Sequence, residues 1–361
     1  MTPPSLERYV DARGGLGDLP GRLRSGTCTI AYMGASVTAQ KDGYRPRLHE
    51  LLCRDTGHDH RAVAAGLGAM GSITGVFLMD ELVLPRRPDL TFVEYATSDI
   101  AGTTPLEHLG AVLEGMVGKL RGAGSEPCFL YLSRADTRLG ASAVVEIYER
   151  VADAHGVPSI NVAEWMREAI DRGEVAVDSV LRDVVHTTAT GSDRTATAIR
   201  DALSEIPDMP RPDSELDDAQ FSGTGFRSTR VVAATRALAA GEPVAEGRFR
   251  LVYPYVELDR DGLLRFRPDG ELVGLLVVVG PHSGYLEVES PAGRAEHLLW
   301  DEECSYERLG SVIFDPFLDA GADVTIRLSE RPVDESGARR PVDPSIAARK
   351  LLKLIGLLVR P

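Results

Sequence analysis

Between Thr27 and Leu203 short apolar runs alternate with longer segments whose apolar residues fall three and four apart. That alternation constrains the chain most, because it is the pattern of parallel strands joined by crossover helices. Five strands are predicted: Thr27–Met33, Arg61–Ala65, Asp89–Ala96, Pro127–Leu132 and Val157–Val162. Helical spacing over Ile73–Leu84, Pro105–Leu120 and Ala143–Ala154 supplies the crossovers. The expected fold is a three-layer α/β/α domain over residues 27–205, preceded by an N-terminal extension of residues 1–26.

After Ile206 the stretch Pro-Asp-Met-Pro-Arg-Pro-Asp-Ser-Glu suits neither a helix interior nor a central strand, so residues 206–218 read as a linker. Beyond it Phe249–Leu258, Leu272–Val279 and Val324–Leu328 read as short strands, punctuated by the turns Arg260-Asp-Gly262 and Pro268-Asp-Gly270. They predict a smaller, antiparallel β-rich domain over residues 219–340. Residues 341–361 are expected to form a C-terminal amphipathic helix, with Ile346, Leu351, Leu352, Leu354, Ile355 and Leu358 set against Arg349, Lys350 and Lys353. Such a basic helix can lie on an anionic membrane surface, although docking on the protein itself is the commoner fate.

A chain of 361 residues exceeds what one core usually fills, and 43% hydrophobic residues suffice for two. The net charge of −14 would repel a phosphate backbone, which argues against nucleic acid as a partner. Met1–Gly15 holds charges and Pro3-Pro4 where a secretory signal would be apolar, so a cytoplasmic location is expected. Cys28, Cys53, Cys128 and Cys304 are scattered, without metal or redox spacing. His58 and His60 flank Asp59 in a polar turn that lacks a third nearby ligand, so no metal site is expected there.

Chemistry in a parallel sheet gathers beyond the carboxyl ends of the strands. Just past the first strand stands Gly34-Ala-Ser-Val-Thr38. Gly34 permits a sharp exit that exposes the Ser36 hydroxyl and leaves its N–H free to face a developing oxyanion, although on this motif alone a helix-capping role for Ser36 or Thr38 is the stronger reading. A serine hydroxyl needs a base held by a carboxylate, and Asp183-Val-Val-His186 offers that pair near the end of the α/β region. Three residues apart in a loop, the Asp183 carboxylate can reach His186 Nδ1–H and leave Nε2 for the hydroxyl.

Together these blocks resemble the SGNH (GDSL-like) hydrolase and acyltransferase family, whose signature opens with a Gly-x-Ser-x-Thr-like turn and closes with Asp-x-x-His before the last helix. The resemblance runs from Thr27 to about Ala202 and extends to Ala64–Ser72 and Pro88–Asp99. It implies a catalytic triad of Ser36, Asp183 and His186. It also implies an oxyanion hole of the Ser36 N–H, the N–H of Ala69 or neighbouring Gly68, and the Ser98 hydroxyl. Ser98 stands where the family usually has Asn, and Ala69 where it has Gly. The implied activity is hydrolysis or transfer of an O-acyl group through an acyl-enzyme, with no metal or organic cofactor. Its expected partner is a small-molecule or carbohydrate acyl ester, or an activated acyl donor in the case of transfer. Tyr253, Tyr255, Trp300 and Tyr306 are candidate sugar-stacking rings, with core packing expected for at least half of them.

Two other readings compete. Gly66-x-Gly-x-x-Gly71 with Glu94 on the next strand matches the fingerprint of a nicotinamide-dinucleotide-binding oxidoreductase. The altered oxyanion donors would suit a non-catalytic carbohydrate-binding protein on a degenerate scaffold of the same type.

Overall fold

Apolar runs of five or six residues form strands here because helices cover both of their faces. The computed structural model describes residues 6–136, 142–208, 221, 224–237, 244–249 and 251–361. It divides into two compact units, Met1–Arg227 and Ser228–Pro361.

The first unit runs β1 (Val10–Asp11), α1 (Leu19–Ser25), β2 (Thr29–Gly34), α2 (Ser36–Ala39), α3 (Tyr44–Thr56), β3 (Arg61–Gly66), α4 (Ser72–Leu82) and β4 (Leu90–Glu94). It continues through α5 (Ala96–Asp99), α6 (Leu106–Gly122), β5 (Glu126–Tyr131), α7 (Ala143–His155), β6 (Ser159–Asn161), α8 (Val162–Asp171), α9 (Val177–Val180), α10 (Ala189–Glu205) and α11 (Thr224–Arg227). The sheet order is β1-β6-β5-β4-β2-β3. Strands β2 to β6 are parallel and β1 is an antiparallel edge. Alternate residues Ile30, Tyr32, Leu90, Phe92, Cys128, Leu130 and Ile160 share one buried cluster with Leu19, Leu48, Leu52, Ile199 and Ala202. The opposite face presents Phe129 and Tyr131, whose rings meet Tyr148 of α7. From β2 the chain steps outward to β3 and then returns to the far side at β4. The carboxyl ends of β2 and β4 therefore flank the topological switch point, where ligands bind in open α/β sheets.

Residues 6–25 are part of this unit rather than an appendage. Arg13 pairs with Glu149 and Asp153 of α7 and donates to Ser159 Oγ at 2.8 Å. A two-residue strand such as β1 has no periodicity to read. At the other end, the unit extends past the expected linker to Arg227. Residues 1–5 and 209–218, which include Pro3-Pro4 and most of that linker, lie outside the described residues.

The second unit contains β7 (Arg230–Ala233), α12 (Ala234–Ala237), β8 (Val244–Phe249), β9 (Leu251–Leu258), β10 (Leu263–Phe266), β11 (Glu271–Val279), β12 (Tyr285–Ser290), β13 (Gly293–Leu298), β14 (Arg308–Leu318), β15 (Val324–Leu328), α13 (Pro344–Ala347) and β16 (Leu352–Arg360). Its strands make two antiparallel sheets, β10-β15-β12-β13 and β14-β11-β16-β9-β8, with β7 also on β16. One cluster, including Leu264, Leu275, Val277, Leu286, Ile326, Leu354 and Leu357, draws from both sheets.

The C-terminal segment corrects an expectation. It is a central strand, not an amphipathic helix: β16 pairs with β11 on one side and with β9 and then β7 on the other. Leu352 to Val359 is buried throughout, so apolar side chains occupy both faces and the alternation that marks a strand is lost. Lys353, read as part of a basic helical face, is nearly buried and bonds Glu307 Oε1 at 2.7 Å. The basic helix expected to touch a membrane is thus not formed. Among the described residues no helix is long and apolar enough to cross one.

Candidate active site

At the end of β2 a Cβ on residue 34 would stand 2.4 Å from Glu94 O and 2.5 Å from Thr38 Oγ1, so glycine is required for the chain to turn there. The Ala35 N–H donates to Glu94 O at 3.2 Å and pins the turn to β4. Ser36 then opens α2, half-exposed, with an N–H that has no intrahelical acceptor before it. Below it Thr38 is fully buried. Its Oγ1 donates to Glu94 Oε2 at 2.9 Å and meets Tyr44 Oη at 2.9 Å, while Arg45 Nε donates to Thr38 O at 3.2 Å.

Before α10 the chain closes a tight loop through Arg182 N–H to His186 O (2.9 Å) and Thr188 N–H to Val180 O (3.0 Å). Inside it Asp183 Oδ1 accepts the N–H groups of Val185 and His186 at 3.0 and 2.8 Å, and Oδ2 lies 2.9 Å from His186 Nδ1. Partial burial alone would raise the Asp183 pKa. The N–H groups of His186 and Val185 and the imidazole outweigh it and hold the carboxyl below its usual range. A carboxylate on Nδ1 selects the tautomer whose Nε2 can accept a proton.

Sequence spacing did not reveal what holds this loop. Gln40, one turn past Ser36, donates from Nε2 to Thr187 O at 3.0 Å, and both residues are buried. The Ala135 N–H, in the loop after β5, binds Val184 O at 2.8 Å. Among the described residues no hydrogen bond joins Ser36 Oγ to His186; the Gln40–Thr187 bond ties their two segments.

The remaining candidates lie on neighbouring turns. Ser98, half-buried on α5, accepts from Thr103 Oγ1 at 3.2 Å, which leaves its own hydrogen free to donate. Arg134 donates to Thr97 O at 2.6 Å. A Cβ on Gly68 would meet nothing within 4 Å, and Ala69 is exposed with φ +57°, so both face open space. Asp99 is a buried brace, accepting from Ser72 N–H (2.9 Å), Thr104 Oγ1 (2.7 Å) and Tyr148 Oη (2.8 Å). Burial nevertheless raises its pKa.

The glycines and the acid of the dinucleotide reading have structural roles here. A Cβ on Gly66 would lie 2.5 Å from Ala39 N, and one on Gly71 2.4 Å from Thr103 Oγ1 and 2.7 Å from Asp99 Oδ1. Gly66 and Gly71 thus serve contacts between protein segments. Glu94, the candidate ribose ligand, is buried under α2. His60 is likewise structural, accepting Cys28 N–H at 3.1 Å and meeting Thr56 Oγ1 at 2.9 Å. Of the four candidate stacking rings, Tyr253 and Tyr255 are buried and Trp300 packs against the core of the second unit, whereas Tyr306 is exposed.

The family match and the fold are those of an SGNH-type serine esterase. Residues 30–194, from β2 into α10, match the GDSL-like Lipase/Acylhydrolase family. The matched segment contains Ser36, Ser98, Asp183 and His186. No curated protein sequence matches the chain. Among solved structures it is similar to a two-domain esterase (CEX) active on acetylated mannans, at TM-score 0.74 and 15% identity, covering 99% of this chain and 98% of that one. The same esterase co-crystallised with mannopentaose gives TM-score 0.73 and 16% identity, with the same coverage. At that identity the likeness is one of fold, and it extends through both units.

Proposed function

We propose that the chain removes O-acyl groups, acetyl first among them, from a carbohydrate or glycosylated metabolite. The observation that carries this reading is the Asp183–His186 pair, held by Thr187 and Gln40 one helical turn from Ser36 at the switch point. Ser36 attacks the acyl carbonyl, His186 Nε2 takes its proton and returns it to the leaving alcohol, and Asp183 keeps the imidazole oriented. The N–H groups of Ser36 and of Gly68 or Ala69, with the Ser98 hydroxyl, receive the oxyanion. The resulting acyl-enzyme is released to water, or to an alcohol if an activated acyl donor is used.

The carbohydrate class is supported by the likeness, through both units, to an esterase active on acetylated mannans. A cleft of about 260 Å³ lined by Arg134, Asp136, Glu164, Arg167 and Leu181 offers polar groups beside the Asp183 loop. The free cysteines suit the reducing cytoplasm. The test is acetate release from acetylated mannan and xylan oligosaccharides, with nitrophenyl acetate as the unspecific control. Wild-type release no faster than that of Ser36→Ala would refute the hydrolase, and release from nitrophenyl acetate alone would refute the carbohydrate assignment.

A further inference from the structure

Glu94 ends β4 at the switch point with its side chain wholly buried. Its carboxyl touches two turns at once: Oε2 accepts from Thr38 Oγ1 at 2.9 Å, and Oε1 accepts from Thr97 Oγ1. Thr38 lies two residues past Ser36 on α2, and Thr97 immediately precedes Ser98 on α5. The Glu94 backbone carbonyl accepts the Ala35 N–H on the other side of Ser36. A buried carboxyl is costly, and an apolar side chain could fill the end of a core strand without that cost. What an apolar residue could not do is bind both hydroxyls.

We infer that Glu94 is a positioning residue, fixing the nucleophile's turn relative to the turn that carries the Ser98 oxyanion donor. This rests on the hydrolase reading above. Oxyanion donors act only when placed within about 2.7–3.1 Å of the forming charge, and a shift of about 1 Å can cost about a hundredfold in rate. Separate anchoring of α2 and α5 would let that separation drift, whereas one carboxyl bound to both removes the freedom. The site is closed on the remaining sides by Tyr44 and Arg45 of α3, Asp99 of α5 and Tyr148 of α7. No charged partner competes for Glu94 among the hydrogen bonds of the described residues.

The experiment measures nitrophenyl acetate hydrolysis by Thr38→Val, Thr97→Val, their double variant, Glu94→Gln and Glu94→Ala, alongside unfolding midpoints. Turnover should fall about tenfold for each threonine variant and, because loss of either bond breaks the bridge, also about tenfold for their double variant and for Glu94→Ala, with KM within about twofold. Glu94→Gln should lie between wild type and these, because an amide has one acceptor oxygen for two hydroxyls. The threonine effects should be non-additive, and neither should matter further in the Glu94→Ala background. Folded Glu94→Gln with wild-type turnover, loss confined to KM, or additive threonine effects would overturn the inference. If Glu94→Ala does not fold, Glu94→Gln and the threonine cycle decide. If the wild type releases no nitrophenol, the hydrolase reading falls by itself, and the same cycle on unfolding midpoints then decides whether Glu94 joins the turns.

Discussion

Gln40 and Thr187, 147 positions apart, are joined by a buried 3.0 Å hydrogen bond from the glutamine amide to the threonine carbonyl. Each is next to chemistry: Gln40 caps the helix that Ser36 opens, and Thr187 follows His186. The bond therefore sets how the turn of the proposed nucleophile meets the loop of the proposed base.

Gln40→Leu keeps the volume and removes the bond, leaving the Thr187 carbonyl buried without that donor. Stability should fall by about 1–3 kcal/mol. Turnover on an activated ester should fall by about tenfold with KM nearly unchanged, since the bond orients reacting groups and touches no substrate. Steady-state kinetics with a denaturant midpoint check this, and unchanged turnover would assign Gln40 to packing alone.

The contrast between these residues and the proposed triad shows what was legible in the sequence. Ser36, Asp183 and His186 lie in short motifs whose chemistry follows from local spacing. Gln40 and Glu94 act through partners 147 and 56 positions away, and nothing local marks them. Glu94 even invited the wrong reading, since an acid at a strand end suits a ribose until its burial under α2 is known. The parallel strands were legible because their runs are short and bounded by helical spacing. β13 was not, because its exposed Gly-Arg-Ala-Glu-His-Leu sequence carries no apolar alternation. β16 misled for the opposite reason, being apolar on both faces.

Ala69 adopts φ +57°, a region that costs an L-residue roughly 1–2 kcal/mol. Ala69→Gly relieves that strain, offset by roughly 0.5–1 kcal/mol of added freedom in the unfolded chain. A small gain in stability is expected, with activity retained because the N–H remains. Chemical denaturation and esterase kinetics test both, and lost activity would mean that the methyl group itself orients the substrate.

Ser98→Ala should lower turnover by about a hundredfold if its hydroxyl reaches the oxyanion. Ser98→Asn supplies the longer donor usual in the family and should restore or exceed wild-type turnover. A kinetically silent Ser98→Ala would remove Ser98 from the oxyanion hole and leave the two backbone donors.

Burial, opposed by the Thr97 and Thr38 hydrogen bonds and reinforced by the Asp99 charge, pushes Glu94 from 4.5 up to about 7. The folded chain thus keeps a proton that the unfolded chain has released. The associated stability is fully present below pH 4.5 and is lost as pH rises through about 7. Relative to Glu94→Gln, the wild type should lose on the order of 3 kcal/mol between those limits. Unfolding free energies of the two proteins across that range give the difference directly, and parallel curves would place Glu94 outside the titration.

Helix α6 lacks side chains at Gly110, Gly115 and Gly118, and Phe221, Phe226 and Arg227 occupy that space: a Cβ at each glycine would lie 2.5 Å from them. Phe226 is fully buried there, and the Phe221 N–H binds the buried Glu114 carboxylate at 3.1 Å. A chain cut after Arg211, within the expected linker, would lose these residues and expose the groove. Loss of a buried phenylalanine typically costs about 3–5 kcal/mol, so this fragment should unfold well below one cut after Arg227. The longer fragment should keep hydrolysis of nitrophenyl acetate, because Ser36, Ser98, Asp183 and His186 all lie within it. It should act poorly on an acetylated oligosaccharide if the second unit supplies remote binding energy. Gly115→Ala in the full chain is the matched control: its methyl would collide with Phe226 and should lower the melting temperature without removing any residue. Equal melting of the two fragments would show that the α6 groove does not hold the end of the first unit.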